Sequence, residues 1–287
     1  MSTSVTITGS GVPMLAPGRA GPGALVKHNG TALQVDAGRA TALRLAEEGT
    51  NVGGLTAMLI THHHSDHLLG ITDIIITRWA ANGPRPYATL PIHCPRGPIV
   101  DYLEHLLDHL EPDIQSRIAV SGYPSRPEPD IHVFESSTAK PTPVGTFGDL
   151  SVDSIAVDHG DLSPAVAYRF TSPDGVIVIS GDTAVCPQLE EFAKGADVLV
   201  HEAFSRGQME ALGMPPSRLE NITHHHADAS AVGAMAARLE VPTLVLTHMV
   251  PSPTTAAAKQ SFVDEVRSGG YQGDLTIAED LNVAAIG

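Results

Sequence analysis

Residues 59–70 read LITHHHSDHLLG: four histidines and an aspartate directly after the apolar run LTAMLIT at 55–61. Imidazole is the commonest protein ligand for zinc. A short apolar run of this kind predicts a buried strand, and successive side chains of a strand point to opposite faces. His62 and His64 therefore reach one ion together, while His63 points the other way. Asp66 and His67 follow where the chain turns into a helix, and they can serve a second ion beside the first. The alternative is a histidine-rich surface patch. The buried strand immediately before the cluster argues against it.

Working outward, further ligand types recur at the ends of predicted apolar strands. SIAVDHG ends in His159, VIVISGDT carries Asp182, and LVLTHM carries His248. Strand ends on one rim of a sheet lie close in space, and loops there carry function. A carboxylate between two divalent ions lowers their repulsion, which suits Asp182 to a bridging place. Around these runs the chain reads as alternating elements. VTITGSG is a strand, and GALVKHNGTALQVDAG is a hairpin turning at Asn29-Gly30. RATALRLAEEG is a helix stopping at Gly49, and GITDIIITRWAAN is another. GPIVDYLEHLLDHLEPDI reads as one amphipathic helix, with Ile99, Tyr102, Leu103, Leu106, Leu107 and Leu110 on one face and His105 and His109 on the other. Residues 121–145 read as a looser Pro- and Ser-rich connection, and β patterning resumes near 147. Strands then helices, twice over, imply an α/β fold: two β-sheets sandwiched between helical layers, built as two similar halves, with 1–287 as one domain.

Composition sets limits. The chain has 287 residues and a formal net charge of −15, with 17 Lys+Arg. Affinity for nucleic acid rests on basic residues displacing counterions, so this balance argues against a nucleic-acid partner. Two cysteines, Cys94 and Cys186, are too few for a disulfide framework. No leader pattern opens the chain, and no window is apolar for the ~18 residues a membrane span needs. A cytoplasmic protein with no membrane partner is expected.

THHHSDH, taken with Asp36 in VDAG and with DHG, SGDT and LTHM, resembles the metallo-β-lactamase superfamily in order across nearly the whole chain. HSDHLLGITDIIITRW, DHGDLSPAVAYRF and HEAF followed by HHHADASAVGAMA resemble its ribonuclease Z/arylsulfatase-like branch. The resemblance implies the αββα sandwich and two divalent ions, zinc first, with manganese or iron as alternatives. It implies that His62, His64 and His159 hold one ion, that Asp66, His67 and His248 hold the other, and that Asp182 bridges them. It implies that Asp36 supports the site through hydrogen bonds. It also implies that Glu202 and His226 assist proton transfer beside the ions, with the register among His224, His225 and His226 open. Strand alternation turns His201 away from Glu202. Members of this branch are often dimers, so a homodimer is expected.

The expected function is a dinuclear metal hydrolase, in which a metal-bound hydroxide attacks a small aryl or alkyl sulfate or phosphate ester or undergoes a related hydrolytic cleavage such as dehalogenation. Asp66 would orient the hydroxide. Asp182 follows His159 by only 23 positions, which leaves no room there for a long RNA-gripping arm. That points to a small-molecule substrate, with Trp79 and Arg78 as pocket walls; ordinary core or lid packing is the other reading of Trp79. The alternatives are a ribonuclease Z-type tRNA 3′-end endoribonuclease and a non-enzymatic metal-binding protein on the same fold.

Overall fold

The computed structural model describes residues 2–83, 85 and 88–287. Six strands of the first sheet come from the N-terminal half: β1 (Ser4–Gly9), β2 (Gly23–His28), β3 (Thr31–Val35), β4 (Ala57–Leu59), β5 (Pro91–Pro95) and β6 (Asp130–Phe134). The second sheet holds β7 (Thr142–Phe147), β8 (Leu150–Ala156), β9 (Val166–Ser172), β10 (Gly175–Ile179), β11 (Val198–Phe204), β12 (Thr243–Val250) and β13 (Asp274–Ile277). The last strand, β14 (Val283–Ala285), returns to the first sheet beside β1. The strand orders are β14-β1-β2-β3-β4-β5-β6 and β13-β12-β11-β10-β9-β8-β7.

Each sheet follows one plan. From β14 to β3 the pairs are antiparallel, and from β3 to β6 they are parallel. From β7 to β10 they are antiparallel, and from β10 to β13 parallel. The two halves expected from the sequence are thus the same topology written twice. The hairpin at Asn29-Gly30 joins β2 to β3; both turn residues have positive φ, 44° and 85°, as a tight hairpin turn requires.

The inner faces pack on one another through residues such as Val26, Leu33 and Leu59 of the first sheet and Val152, Tyr168 and Val200 of the second. Helices cover both outer faces. On the first lie α1 (Thr41–Glu48), α2 (Ser65–Leu68), α3 (Ile71–Asn82), α4 (Pro98–Glu104) and α5 (Glu111–Ser121), through side chains including Leu45, Leu68, Ile75, Leu103 and Ile114. On the second, α6 (Pro187–Phe192) sits by its Leu189. Next along the chain come α7 (Arg206–Ala211) and α8 (Pro216–Thr223). Then α9 (Ala229–Arg238) and α10 (Ala256–Ser268) add Met235 and Phe262 to the same layer as α6. Alternating strand faces buried on both sides give the near-continuous apolar runs seen in the sequence.

Three readings change. The single helix expected over 97–114 is broken: α4 ends at Glu104, and α5 starts only at Glu111. Pro112 stands in the first turn of α5, where it is tolerated; a helix running through it from α4 would bring its ring against the carbonyl of Asp108. Residues 121–145 are not a plain connection, since they contain β6 and the start of β7. α7 and α8, two short helices between β11 and α9, are additional elements. Among the described residues, no helix is long and apolar enough to cross a membrane.

Candidate metal centre

The C-terminal ends of the central parallel strands of both sheets meet at one rim. From the first sheet, β3 leads to Asp36 and β4 leads through Thr61 into the histidine run. His62, Asp66 and His67 are buried, and His63 and His64 are half-buried. From the second sheet, β10 leads to Asp182, and β11 and β12 carry Glu202 and His248. His159 follows β8, and His226 precedes α9.

Backbone irregularities aim several of these side chains. In the pairing of β11 with β12, Glu202 faces Thr247 and Ala203 faces Met249, so His248 is an extra residue. Its φ is +43°. A bulge of this kind re-aims a side chain that strict alternation would bury elsewhere. Asp36 also has positive φ, 50°. Along β11, Leu199 and Ala203 pack under the helices while Val198 and Val200 pack between the sheets. Glu202 lines the cavity behind the cluster, together with Asp36, His67, Asp182 and His248, and His201 does not. That cavity is about 40 Å³, room for ions or water but not for a substrate.

Among the described residues the ligand atoms gather at one rim in three groups, each with atoms within 4.8 Å of one another: His62, His64, His159 and Asp182; Asp66, His67 and His248; and Asp182, His226 and His248, which overlaps the other two. Asp182 Oδ2 is 3.8 Å from His62 Nε2 and 3.4 Å from both His67 Nε2 and His248 Nε2. It stands between the first two groups. Asp66 Oδ2 is 3.3 Å from His248 Nε2. His64 Nδ1 and His159 Nε2 face each other at 3.3 Å. His63 belongs to none of the groups.

Hydrogen bonds decide which nitrogen of each ring is bare. His159 Nδ1–H donates to the carbonyl of His225 at 2.6 Å, and His67 Nδ1–H donates to Asp36 Oδ2 at 2.8 Å. The Nε2 atom of His62 is buried without a hydrogen-bond partner, and that of His67 faces only carboxylate oxygens, of Asp182 at 3.4 Å and Asp66 at 3.8 Å. Orphaned lone pairs in a buried cluster of imidazoles and carboxylates are the environment a divalent cation satisfies, and the residues fit such ions. Burial, then the neighbouring rings, holds His62 well below the usual histidine range, and burial brings His159 down to about 4. Both rings are neutral at pH 7 and offer a lone pair. Burial also favours a neutral Asp182, but His248 and His67 outweigh it and hold the carboxyl well below its ordinary range.

Glu202 and His226 form a second small unit. His226 Nδ1–H donates to Glu202 Oε1 at 2.9 Å, and the same oxygen accepts the Thr183 backbone N–H at 2.8 Å. Burial opposes a charge on His226, but the Glu202 carboxylate outweighs it and pushes the ring up to about 9. The His226 ring lies 5.1 Å from His159 and stacks on His248 at 5.8 Å. Of the triplet, His226 is the one placed at the cluster; His225 lies against Gly160 and His224 is exposed.

Two expected residues are not brought to the site. Trp79 is 1% exposed and packs 4.5 Å from Tyr123, with its Nε1–H donating to the Ser125 carbonyl. Arg78 donates to the carbonyls of Val52 and Leu55. Both support the outer helical layer of the first sheet, because α3 turns these positions away from the rim. Conversely, three contributors went unassigned in the sequence: Thr61, Thr183 and the carbonyl of His225. Each stands next to a quoted motif residue, so adjacency was the only signal.

Residues 31–249 match the family model for the beta-lactamase superfamily domain. The chain belongs to the metallo-β-lactamase superfamily. Within it, the chain is 34% identical over 278 residues to a protein named Ribonuclease Z from Mycolicibacterium paratuberculosis, covering 97% of this chain and 96% of that one. It is 34% identical to a Ribonuclease Z of Mycobacterium bovis over 279 residues, with the same coverage. By structure it is similar to the metallo-β-lactamase fold protein YhfI from Bacillus subtilis (TM-score 0.73, 20% identity, 99% of each chain) and to the short form of human tRNase Z (TM-score 0.65, 21% identity, 99% of each chain).

These relatives correct the expectation of a small-molecule substrate and of no nucleic-acid partner. Proteins named as ribonucleases match this chain end to end at nearly equal length, so a long inserted arm is not a condition for that name. Net charge sums the whole surface and does not report how the 17 Lys+Arg are distributed over it, which is what a phosphate backbone meets.

Proposed function

We propose that this protein is a ribonuclease Z-type endoribonuclease that hydrolyses a phosphodiester at the 3′ end of precursor tRNA with the help of two divalent cations, zinc first. The end-to-end similarity to proteins named Ribonuclease Z carries the reading. In it, His62, His64 and His159 would hold one cation and Asp66, His67 and His248 the other, with Asp182 beside both groups. When bound, such cations polarise the phosphate and make water acidic enough to attack at neutral pH. The remaining work belongs to side chains of the chain itself. Asp66 accepts a hydrogen bond from the attacking water and turns it toward phosphorus. Glu202 holds the His226 ring by its Nδ1–H, which leaves Nε2 to pass a proton to the leaving oxygen. Asp36 and the His225 carbonyl keep His67 and His159 turned to the rim.

The test uses purified protein loaded with Zn²⁺ or Mn²⁺ and a precursor tRNA carrying a 3′ trailer, with enzyme well below substrate and the product ends mapped. One cut at the trailer junction is expected, lost with a chelator and in His64→Ala. Metal-loaded protein that leaves the precursor intact would overturn the reading.

A further inference from the structure

Thr61, the residue just before the histidine run, uses every polar atom it has. Its backbone N–H donates to Asp36 Oδ1 at 2.8 Å, and its hydroxyl donates to Asp36 Oδ2 at 2.7 Å. Its carbonyl accepts the Val166 N–H at 3.1 Å, which ties it to the second sheet. Its Oγ1 also lies 2.9 Å from His62 Nδ1. A hydroxyl has one proton, and the Asp36 carboxylate can only accept. The proton therefore goes to Asp36, and the Thr61 oxygen must accept from His62 Nδ1–H. His62 is left with a bare Nε2, the buried atom that has no partner.

The same Asp36 oxygen accepts His67 Nδ1–H. One carboxylate thus holds a ring from each of the two ligand groups: His67 directly and His62 through one hydroxyl. The methyl side of Thr61 has a separate contact. A Cβ on Gly181, the neighbour of Asp182, would meet Thr61 Cβ at 3.1 Å and Cγ2 at 3.2 Å. Gly181 has φ +62°, which favours glycine, and the same Cβ would come within 2.8 Å of the Val166 carbonyl oxygen.

We propose that the Thr61 hydroxyl is a positioning group that sets the tautomer and direction of His62, and that through Asp36 it couples the orientation of the two cation sites. This rests on the reading that the two groups hold cations. Groups behind a ligand typically change metal affinity about 10–100-fold when removed.

The experiment compares Thr61→Val, which keeps the shape and loses the hydroxyl, with Thr61→Ser, which keeps the hydroxyl and loses the methyl. Zn²⁺ affinity is measured by competition with a chromogenic chelator, and folding by guanidinium titration. The ring ¹⁵N shifts of His62 are read in metal-free wild type and variants. Thr61→Val is expected to bind one zinc about 10–100-fold more weakly and to show His62 as a mixture of tautomers. Thr61→Ser is expected to bind zinc as wild type does, with His62 protonated at Nδ1. Zinc affinity kept in Thr61→Val and lost in Thr61→Ser would overturn the proposal and assign Thr61 to packing against Gly181. Metal-free wild type with His62 protonated at Nε2 would overturn it too, even if Thr61→Val fails to fold. Wild type that binds no zinc at all while His62 is protonated at Nδ1 would sink the cation reading and leave the Thr61–His62 contact standing.

Discussion

The two halves share one strand plan and load it differently. In the first, the end of β4 delivers His62, His64, Asp66 and His67 within six residues. In the second, β10, β11 and β12 deliver one side chain each: Asp182, Glu202 and His248. Position in the sheet explains where these groups are, not what they do. Asp36 after β3 and Asp182 after β10 hold matching places, yet Asp36 accepts hydrogen bonds from Thr61 and His67 while Asp182 faces three imidazoles. β5 and β12 also match, and each carries a histidine. His93 stacks on His132 at 4.8 Å inside the sheet, whereas the bulge in β12 turns His248 to the rim. A strand end is a place for function, and local backbone decides whether its side chain is used.

The sharpest break of this comparison sets Asp182→Asn against Asp36→Asn. The first is expected to lose cations and RNA cleavage together. The second should retain both ions with affinity lowered about 10–100-fold, measured by metal analysis and chelator competition. Equal losses would erase the distinction between the two carboxylates. Next, Glu202→Gln is expected to lower kcat/KM by roughly 10²–10⁴ with metal content unchanged, because it unhooks the His226 ring. Adding His226→Ala should cost little more, since the two act as one unit. Additive losses would separate them. Within the histidine run, His64→Ala is expected to lose a cation and His63→Ala to keep both; metal loss in His63→Ala would undo the alternation argument.

Trp79→Ala tests the correction on the substrate pocket. Removal of this buried ring should destabilise the fold by about 3–5 kcal/mol in a denaturant titration, with KM of the folded protein unchanged. A raised KM at normal stability would return Trp79 to substrate contact. The smallest effect separates His93 from His248. Burial, then the charge of His132, lowers His93 to about 4, with Asp130 opposing. Between pH ~6.5 and about 4 the unfolded chain binds a proton at this ring that the folded chain does not. Stability should therefore fall as pH drops through that window, by about 1–2 kcal/mol after allowance for solvent screening. His93→Gln should flatten this part of the pH profile and leave cation binding intact. Identical slopes in wild type and variant would remove His93 as the cause.

Much of the site was legible because it is local. The order of strands and helices follows from apolar period and turn residues, and the hairpin at Asn29-Gly30 needed only two residues to read. The break before Pro112 is equally local, but the apolar face of 99–110 is strong enough to suggest a continuous helix. The edge strand β6 was hidden by its setting: DIHVF is flanked by prolines and serines and is only half-buried. Of the two readings of Trp79 the structure shows core packing, because nearness to the histidine run in sequence does not give direction in space.

The gathering of imidazoles and carboxylates, and the separation of His63 from His62 and His64, follow from short stretches of sequence. Residue type and strand alternation act over a few positions and need no knowledge of distant packing. Long-range packing sets which nitrogen is bare in His62, His67 and His159, links the two groups through Asp36 and Thr61, and turns His248 inward. Those outcomes depend on hydrogen bonds between segments far apart in the chain, and on a bulge that arises only when β12 pairs with β11.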